Sequence, residues 1–233
     1  MRHHRLLRFT AAACFATFAT SAWSYHVARE MHLPGAEGWD YLSVDEQASR
    51  LYVSHGTRVE VIDTKTLELV GTIDQTPGVH GIALAPDLGR GYVSAGASGT
   101  VVVFDLKTLA RLAEVKTTGA NPDAILYEPV TRRVFTFNGR GRNVTAIDAR
   151  TYEVLGTIAL DAKPEFAVSN AAGQIFVNLE DTNGIARIDA KTLAVQARWP
   201  LTGCEEPSGL ALGVGARLHC ITASGATSPS DRA

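Results

Sequence analysis

The sequence predicts an all-β chain that folds as a β-propeller of four-stranded blades, and three observations carry that prediction. A motif of the form Asp-x-Lys/Arg-Thr recurs four times, with spacings of 42, 43 and 41 residues, at Asp63, Asp105, Asp148 and Asp189. Short runs rich in β-branched and aromatic residues lie on either side of each motif, as strands on a half-buried pleat require. After the first two dozen residues, no segment carries apolar residues at a sustained helical period. Four short strands in each unit, recurring at this period, indicate propeller blades.

The first 24 residues have the pattern of a secretory signal peptide. Three arginines among the first eight residues precede an apolar run over residues 9–22, and the small residues Ala22 and Ser24 place a cleavage site before Tyr25. The run is too short for a membrane span with ordinary flanks. We therefore expect residues 1–24 to direct export, a periplasmic or secreted protein, and no membrane span after cleavage.

Composition and motif content exclude several classes of function. The chain has 233 residues and a net charge of −2, and removal of the arginine-rich leader makes it more acidic still, which disfavours nucleic-acid binding. It contains no Gly-x-Ser-x-Gly, Cys-x-x-Cys or His-Glu-x-x-His motif. Beyond the leader the only cysteines are Cys204 and Cys220, which an oxidising compartment would allow to pair. The sequence leaves open whether they do.

The first repeat unit shows how each blade is expected to be built. Its four strands are predicted at Tyr41–Val44, Arg50–Ser54, Val59–Ile62 and Leu69–Ile73. The Asp-x-Lys/Arg-Thr motif lies between the third and fourth strands. Its aspartate is expected to accept hydrogen bonds from backbone amides two residues on, which makes its role structural and not catalytic.

The repeat resembles the YVTN family of β-propeller repeats and, within it, the exported YncE-like proteins. The segments Arg50–Ser54 (Arg-Leu-Tyr-Val-Ser) and Gly91–Ser94 (Gly-Tyr-Val-Ser) match the second strand of that repeat, and the Asp-x-Lys-Thr-Leu turns match its third hairpin. The resemblance covers about residues 37–220. It implies the propeller fold, but it does not imply a function, because unrelated activities use this scaffold. The family usually builds seven blades, and this chain carries four complete units and part of a fifth.

The fifth unit departs from the repeat. Residues 204–212 open another blade and residues 217–220 form a second strand, but the third strand and its turn motif are missing. We therefore expect propeller blades over residues 25–222 and a disordered tail over residues 223–233, which are rich in Ser, Thr, Gly and Pro. The hypothesis is a C-terminally truncated copy with an open or incomplete ring, whose uncovered blade edges favour self-association.

Candidate site residues come from two places where propeller loops reach one face. The entry points to the innermost strands carry five varied side chains: Trp39, His80, Asp123, Glu165 and Ser208. This variety, beside nearly identical turns, suggests a surface for a small ligand or a protein partner. The hairpin over residues 138–143 adds Asn138, Arg140 and Arg142 between alternate glycines, a pattern suited to a phosphate or carboxylate, although a polar hairpin tip explains it more simply.

These residues favour a non-catalytic binding module with no cofactor. The alternative is a metal-dependent hydrolase of the propeller lactonase type, in which His80, Asp123 and Glu165 would hold a divalent cation. A third interpretation is that the same side chains line a water-filled channel and pair with one another. A truncated remnant without function is also left open by the sequence.

Overall fold

The computed structural model describes residues 26–35, 38–215, 217–222 and 227–232. The predicted signal peptide lies outside these residues. The chain divides into two compact units, residues 1–34 and residues 35–233. The described part of the first unit, residues 26–34, forms no helix or strand. Among the described residues, no helix is long and apolar enough to cross a membrane.

The described part of the second unit contains nineteen strands in five antiparallel sheets, each a simple meander. The first sheet contains β1 (Trp39–Asp45), β2 (Arg50–His55), β3 (Arg58–Asp63) and β4 (Leu69–Ile73). The second contains β5 (Val79–Ala85), β6 (Arg90–Ala95), β7 (Thr100–Asp105) and β8 (Arg111–Lys116). The third contains β9 (Pro122–Glu128), β10 (Arg133–Asn138), β11 (Asn143–Asp148) and β12 (Val154–Ala159). The fourth contains β13 (Pro164–Ser169), β14 (Gln174–Leu179), β15 (Gly184–Asp189) and β16 (Ala194–Pro200). The fifth contains β17 (Pro207–Gly213), β18 (Arg217–Thr222) and β19 (Thr227–Arg232).

The sheets pack face to face in chain order, as propeller blades do. The innermost strands β1, β5, β9, β13 and β17 each lie against the next. Four buried apolar clusters fill the spaces between successive sheets. Within the described part of the chain, no comparable packing joins the fifth sheet to the first. The predicted all-β propeller with an open ring and a partial last blade is therefore confirmed.

The recurring aspartate motif is a hydrogen-bonded turn. Asp63 Oδ1 accepts the amide N–H groups of Lys65 and Thr66 at 2.8 and 2.9 Å. Matching bonds occur in the other three complete blades, at Asp105, Asp148 and Asp189. The amides of Thr66 and then Lys65 hold the pKa of the Asp63 carboxyl below its usual range. The structural interpretation of these aspartates is confirmed.

The fifth residue of the turn in the second blade, Leu109, packs on the blade before it. Leu109 takes a left-handed backbone conformation with φ of 62°. Its side chain lies over Gly71 in β4, where a Cβ atom would come within 2.6 Å of Leu109 Cδ1. Glycine at this point of the fourth strand therefore lets the turn of one blade close onto the blade before it.

The expectation of a disordered tail is corrected over residues 227–232. Over residues 227–232 the chain forms β19, which pairs antiparallel with β18 and gives the fifth sheet a third strand. The edge of β18 offers free N–H and C=O groups, so a polar segment can add to it by backbone hydrogen bonds without apolar side chains. Residues 223–226 and 233, the remainder of that prediction, lie outside the described residues.

A disulfide closes the start of the fifth blade. Cys204, in the segment before β17, is bonded to Cys220 in β18, and both are buried. They belong to the apolar cluster between the fourth and fifth sheets, together with Phe176 and Leu210. The two cysteines, whose pairing the sequence leaves open, therefore form a disulfide that links the fifth blade to the segment that precedes it.

Candidate functional site

Strand register identifies the residue at each entry point. Trp39 pairs with His55 in the first sheet, as Val79 pairs with Ala95 in the second and Pro122 with Asn138 in the third. The residue after each of these stands at the equivalent position, and these residues are Asp40, His80, Asp123, Glu165 and Ser208. The prediction of Trp39 was therefore wrong by one residue. β1 lacks the proline that begins β9, β13 and β17, and the bulky Trp39 takes its place.

Four of these side chains form what we call the inner-strand cluster: Asp40, His80, Asp123 and Glu165. His80 Nδ1 lies 2.6 Å from Asp40 Oδ2 and 3.8 Å from Asp123 Oδ1. These contacts connect the innermost strands of the first three blades. Asp123 is 18% exposed and Asp40 is 37% exposed, so the cluster is partly desolvated and still open to solvent.

Burial and like charges shift the pKa values within the cluster. Burial is the largest cause that raises the pKa of Asp123 to about 6; the charge of His80 opposes it, the carboxylates of Glu165 and Asp40 add to it, and Lys163 lowers it slightly. The hydrogen bond to Asp40 raises the pKa of His80 against the opposing effect of burial. When protonated, the His80 imidazole therefore places a single positive charge between the carboxylates of Asp40 and Asp123.

The negative charge of Glu165 is balanced in part by the ammonium of Lys163. Its Oε1 lies 2.9 Å from Lys163 Nζ, and the same ammonium contacts the carboxylate of Glu180. Lys163 also donates its backbone N–H to Asp181 Oδ1 at 2.8 Å. Lys163 is thus shared among acidic groups and does not neutralise the cluster. The fifth residue, Ser208, donates its hydroxyl to the Ile221 carbonyl at 3.3 Å.

The hairpin residues proposed from the sequence have mainly structural contacts. Asn138 is fully buried and donates to Asn143 Oδ1 and Thr145 Oγ1 at 2.8 and 2.9 Å, so its amide stabilises the hairpin and is not offered to a ligand. Arg142 pairs with Asp181 at 2.5 Å. Arg140 is exposed. The simpler explanation, a polar hairpin tip, accounts for Asn138 and Arg142.

Aromatic residues that were not singled out lie beside the cluster. Tyr41 in β1 stacks on Phe166 in β13, with ring centroids 5.4 Å apart. Burial, followed by the charges of Asp123 and Asp40, raises the pKa of Tyr41 well above its usual range. Each ring follows a cluster residue directly in the sequence, which is the signal that could have indicated them. Trp39 stacks separately on His55, with centroids 3.7 Å apart.

The donor set suits a hard or borderline divalent cation. Asp40, His80 and Asp123 each offer one ligand atom, and these atoms lie within 4.8 Å of one another. Carboxylate oxygens suit Mn²⁺ and Ca²⁺, and a carboxylate set that includes an imidazole nitrogen also suits Zn²⁺. His80 would have to give up the Nδ1 proton that it shares with Asp40 before that nitrogen could coordinate a metal.

Comparisons with known proteins show the fold of this chain but do not assign it to a family. No family model matches the chain. It is 26% identical over 171 residues to the U3 small nucleolar RNA-associated protein 18 homolog of Arabidopsis thaliana, a match that covers 69% of this chain and 31% of that protein. The chain therefore spans less than a third of the length of this relative.

Two solved structures superimpose on most of the chain. Hydrazine synthase of Kuenenia stuttgartiensis matches with a TM-score of 0.68 and 17% identity, over 88% of this chain and 69% of that chain. The Cps50 (Swd1) β-propeller domain of Myceliophteria thermophila matches with a TM-score of 0.68 and 10% identity, over 81% of this chain and 64% of its own. At these identities the likeness concerns architecture alone. The chain is similar in fold to these β-propeller structures.

Proposed function

We propose that the protein is an exported, YncE-like β-propeller that binds a ligand without transforming it, and that the inner-strand cluster receives a positively charged group of that ligand. The observation that carries the proposal is the convergence of Asp40, His80 and Asp123, from three successive blades, on one point. Glu165 extends the same acidic surface on the fourth blade.

Electrostatics supports a cationic ligand over an anionic one. Carboxylates outnumber cations around the cluster, and the raised pKa of Asp123 records the cost of ionising it there. A cation placed among Asp40, Asp123 and Glu165 would relieve that cost, whereas an anion would increase it. The acidity of the chain and of this surface gives no support for nucleic acid as the ligand, although the name of the plant relative refers to RNA.

Export is supported by two independent features. The first 24 residues have the basic, apolar and small-residue pattern of a secretory leader. The buried disulfide between Cys204 and Cys220 is of the kind that persists in oxidising compartments. Fractionation of the native host, with the mature N-terminus determined by mass spectrometry, tests this part of the proposal. A protein retained in the cytoplasm with Met1 in place would overturn it.

Calorimetric titration tests the binding site. The probes are Mn²⁺ and a small diamine such as 1,4-diaminobutane, each titrated into wild-type protein and into Asp123→Asn. The proposal expects saturable binding of at least one probe, weakened about tenfold or more by loss of the Asp123 charge. Glu114→Gln removes an exposed carboxylate of β8 and serves as the matched control, with no expected effect. Absence of binding by both probes, or equal loss in the control, would contradict the proposal.

A metal-dependent hydrolase is the second candidate, and the donor set of Asp40, His80 and Asp123 is the observation that favours it. A divalent cation held there would act as a Lewis acid on a carbonyl and lower the pKa of a bound water. Lactone and aryl ester hydrolysis by protein loaded with Mn²⁺, Zn²⁺ or Ca²⁺ separates the two candidates. Turnover that is lost in Asp40→Asn would favour the enzyme, and tight binding without turnover would favour the binding module.

A further inference from the structure

Among the residues that the structure describes, nothing covers one face of each end blade, and the interior blades show what covers the equivalent faces elsewhere. We call the face of a blade that meets the preceding blade its leading face, and the opposite one its trailing face. Two residues after the cluster position, the innermost strand presents a side chain on the leading face. This side chain is buried in the second, fourth and fifth blades, where Ile82, Ala167 and Leu210 are 7%, 8% and 5% exposed.

The leading side of β1 has the same chemistry but remains open. The equivalent residue there is Leu42, which is 65% exposed, and Val44 on the same side is 55% exposed. In the second blade the corresponding Leu84 packs into the apolar cluster formed with the first blade. β1 therefore offers two large aliphatic side chains in the positions that pack on a preceding blade elsewhere in the chain.

The trailing side of β17 presents small residues, Gly209, Ala211 and Gly213, of which Ala211 is exposed. Ile221 and His219 of the neighbouring strand lie over Gly209 and Gly213, so Ala211 is the open point of this stripe. In β5 the equivalent positions are also small. On the adjacent β18, Ile221 points to the same side and is 47% exposed.

The packing of β5 against β9 is the internal example of this fit. The small trailing residues of β5 are Gly81, Ala83 and Ala85, and they pack with Ile125 and Tyr127 on the leading side of β9. The fit is close, because a Cβ atom at Gly81 would come within 2.8 Å of Ile125 Cγ2. β17 repeats these small residues, with Ala211 as the part of the stripe that its own blade leaves open, and β1 supplies the large side chains Leu42 and Val44.

We propose that the trailing face of the fifth blade docks on the leading face of the first blade of a second copy of this chain, so that the protein self-associates head to tail. This contact between two molecules would have the same form as the blade-on-blade interfaces that join the five sheets within one molecule. Such a heterologous contact uses two different surfaces of each copy, and it either closes into a ring or propagates.

Light scattering coupled to size exclusion, run on the full chain over a range of concentrations, tests this inference. Wild-type protein is expected to have a mass above that of one chain, increasing with concentration. Leu42→Glu blocks the leading face and Ala211→Glu blocks the trailing face. Each variant is expected to be monomeric, with association weakened about 100-fold or more, because an unpaired carboxylate would be buried in the contact.

An equimolar mixture of the two variants gives the sharpest outcome. Leu42→Glu keeps its trailing face and Ala211→Glu keeps its leading face, so the mixture is expected to form a complex of two chains and no larger species. The matched control is Leu155→Glu in β12, which places the same charge at an exposed apolar residue outside both faces and should associate as wild type does.

Circular dichroism and a cooperative thermal transition verify that each variant folds, and Val44→Glu and Ile221→Glu replace any variant that does not. A monomeric wild type at every concentration would overturn the inference. So would single variants that still associate, or a mixture that remains monomeric, because neither result is compatible with a head-to-tail contact between these two faces.

Discussion

His80 Nδ1 in β5 lies 2.6 Å from Asp40 Oδ2 in β1, and this contact joins the first two blades at the point where the candidate ligand surface begins. One side-chain pair thus connects blade packing to the proposed site. A substitution here acts both on the electrostatics of the site and on the stability of the fold.

Asp123→Asn is expected to stabilise the protein at neutral pH. The folded-state pKa is raised from 3.8 to about 6, so the stabilising effect of the protonated carboxyl is complete below pH 3.8 and is lost as the pH rises through 6. Above that range the ionised Asp123 costs the fold about 3 kcal/mol, which asparagine avoids. Urea unfolding should therefore show a gain in the free energy of unfolding at pH 8 and almost none at pH 4. An equal gain at both pH values would exclude the electrostatic explanation.

Asp40→Asn is expected to lower the pKa of His80. The hydrogen bond from His80 Nδ1 to Asp40 is the largest cause of the raised pKa of the imidazole. Proton NMR titration of His80 should give a midpoint above 6.5 in wild type and a lower one in the variant. Glu165→Gln, which removes a weaker influence on the same imidazole, should shift the midpoint less. The assignment of cause fails if the two variants shift it equally.

Tyr92→Phe is expected to weaken the contact between the second and third blades. The buried Tyr92 hydroxyl donates to the carbonyl of Ala149 at 2.5 Å, and its loss leaves that acceptor unpaired at a cost of about 1 kcal/mol. Tyr52 occupies the equivalent position in the first blade, but its buried hydroxyl has no hydrogen-bond partner of good geometry among the described residues. Tyr52→Phe is therefore the matched control, with little or no loss. Equal losses in chemical denaturation would contradict this assignment.

Loss of the disulfide is expected to destabilise the fifth blade. Cys204 and Cys220 are 16 residues apart, and closing a loop of that length contributes about 3 kcal/mol by restricting the unfolded chain. Thermal unfolding should shift downward in the presence of reductant. The Cys204→Ser/Cys220→Ser double variant should show the lower transition without reductant and no further response to it. Alkylation of both thiols in the native, oxidised protein would show that the bond does not form.

The features that the sequence predicts correctly are local ones. The turn at Asp63 is determined by a carboxylate and two amides within three residues, and the predicted strand Leu69–Ile73 coincides with β4. Repetition of such units then indicates the propeller without any knowledge of long-range contacts. The blade architecture follows because each blade repeats the same local chemistry.

The features that the sequence does not predict depend on pairing between distant segments. Asp40 stands at the cluster position because Trp39 pairs with His55, with an irregular register between Trp39 and Leu42. The compensation of Glu165 depends on Lys163, which is shared with Glu180 on the next hairpin. Residues 227–232 join the last sheet through backbone bonds that side-chain patterns do not encode.

Anomalous diffraction from crystals soaked in Mn²⁺ tests whether the inner-strand cluster receives a cation, because it locates a bound positive charge without assuming a ligand. We expect a peak at coordination distance from the carboxylates of Asp40 and Asp123, beside His80, that disappears in crystals of Asp123→Asn. Crystals with no peak at the inner-strand cluster, or with peaks only at other acidic groups such as Glu205 and Glu206, would contradict this expectation.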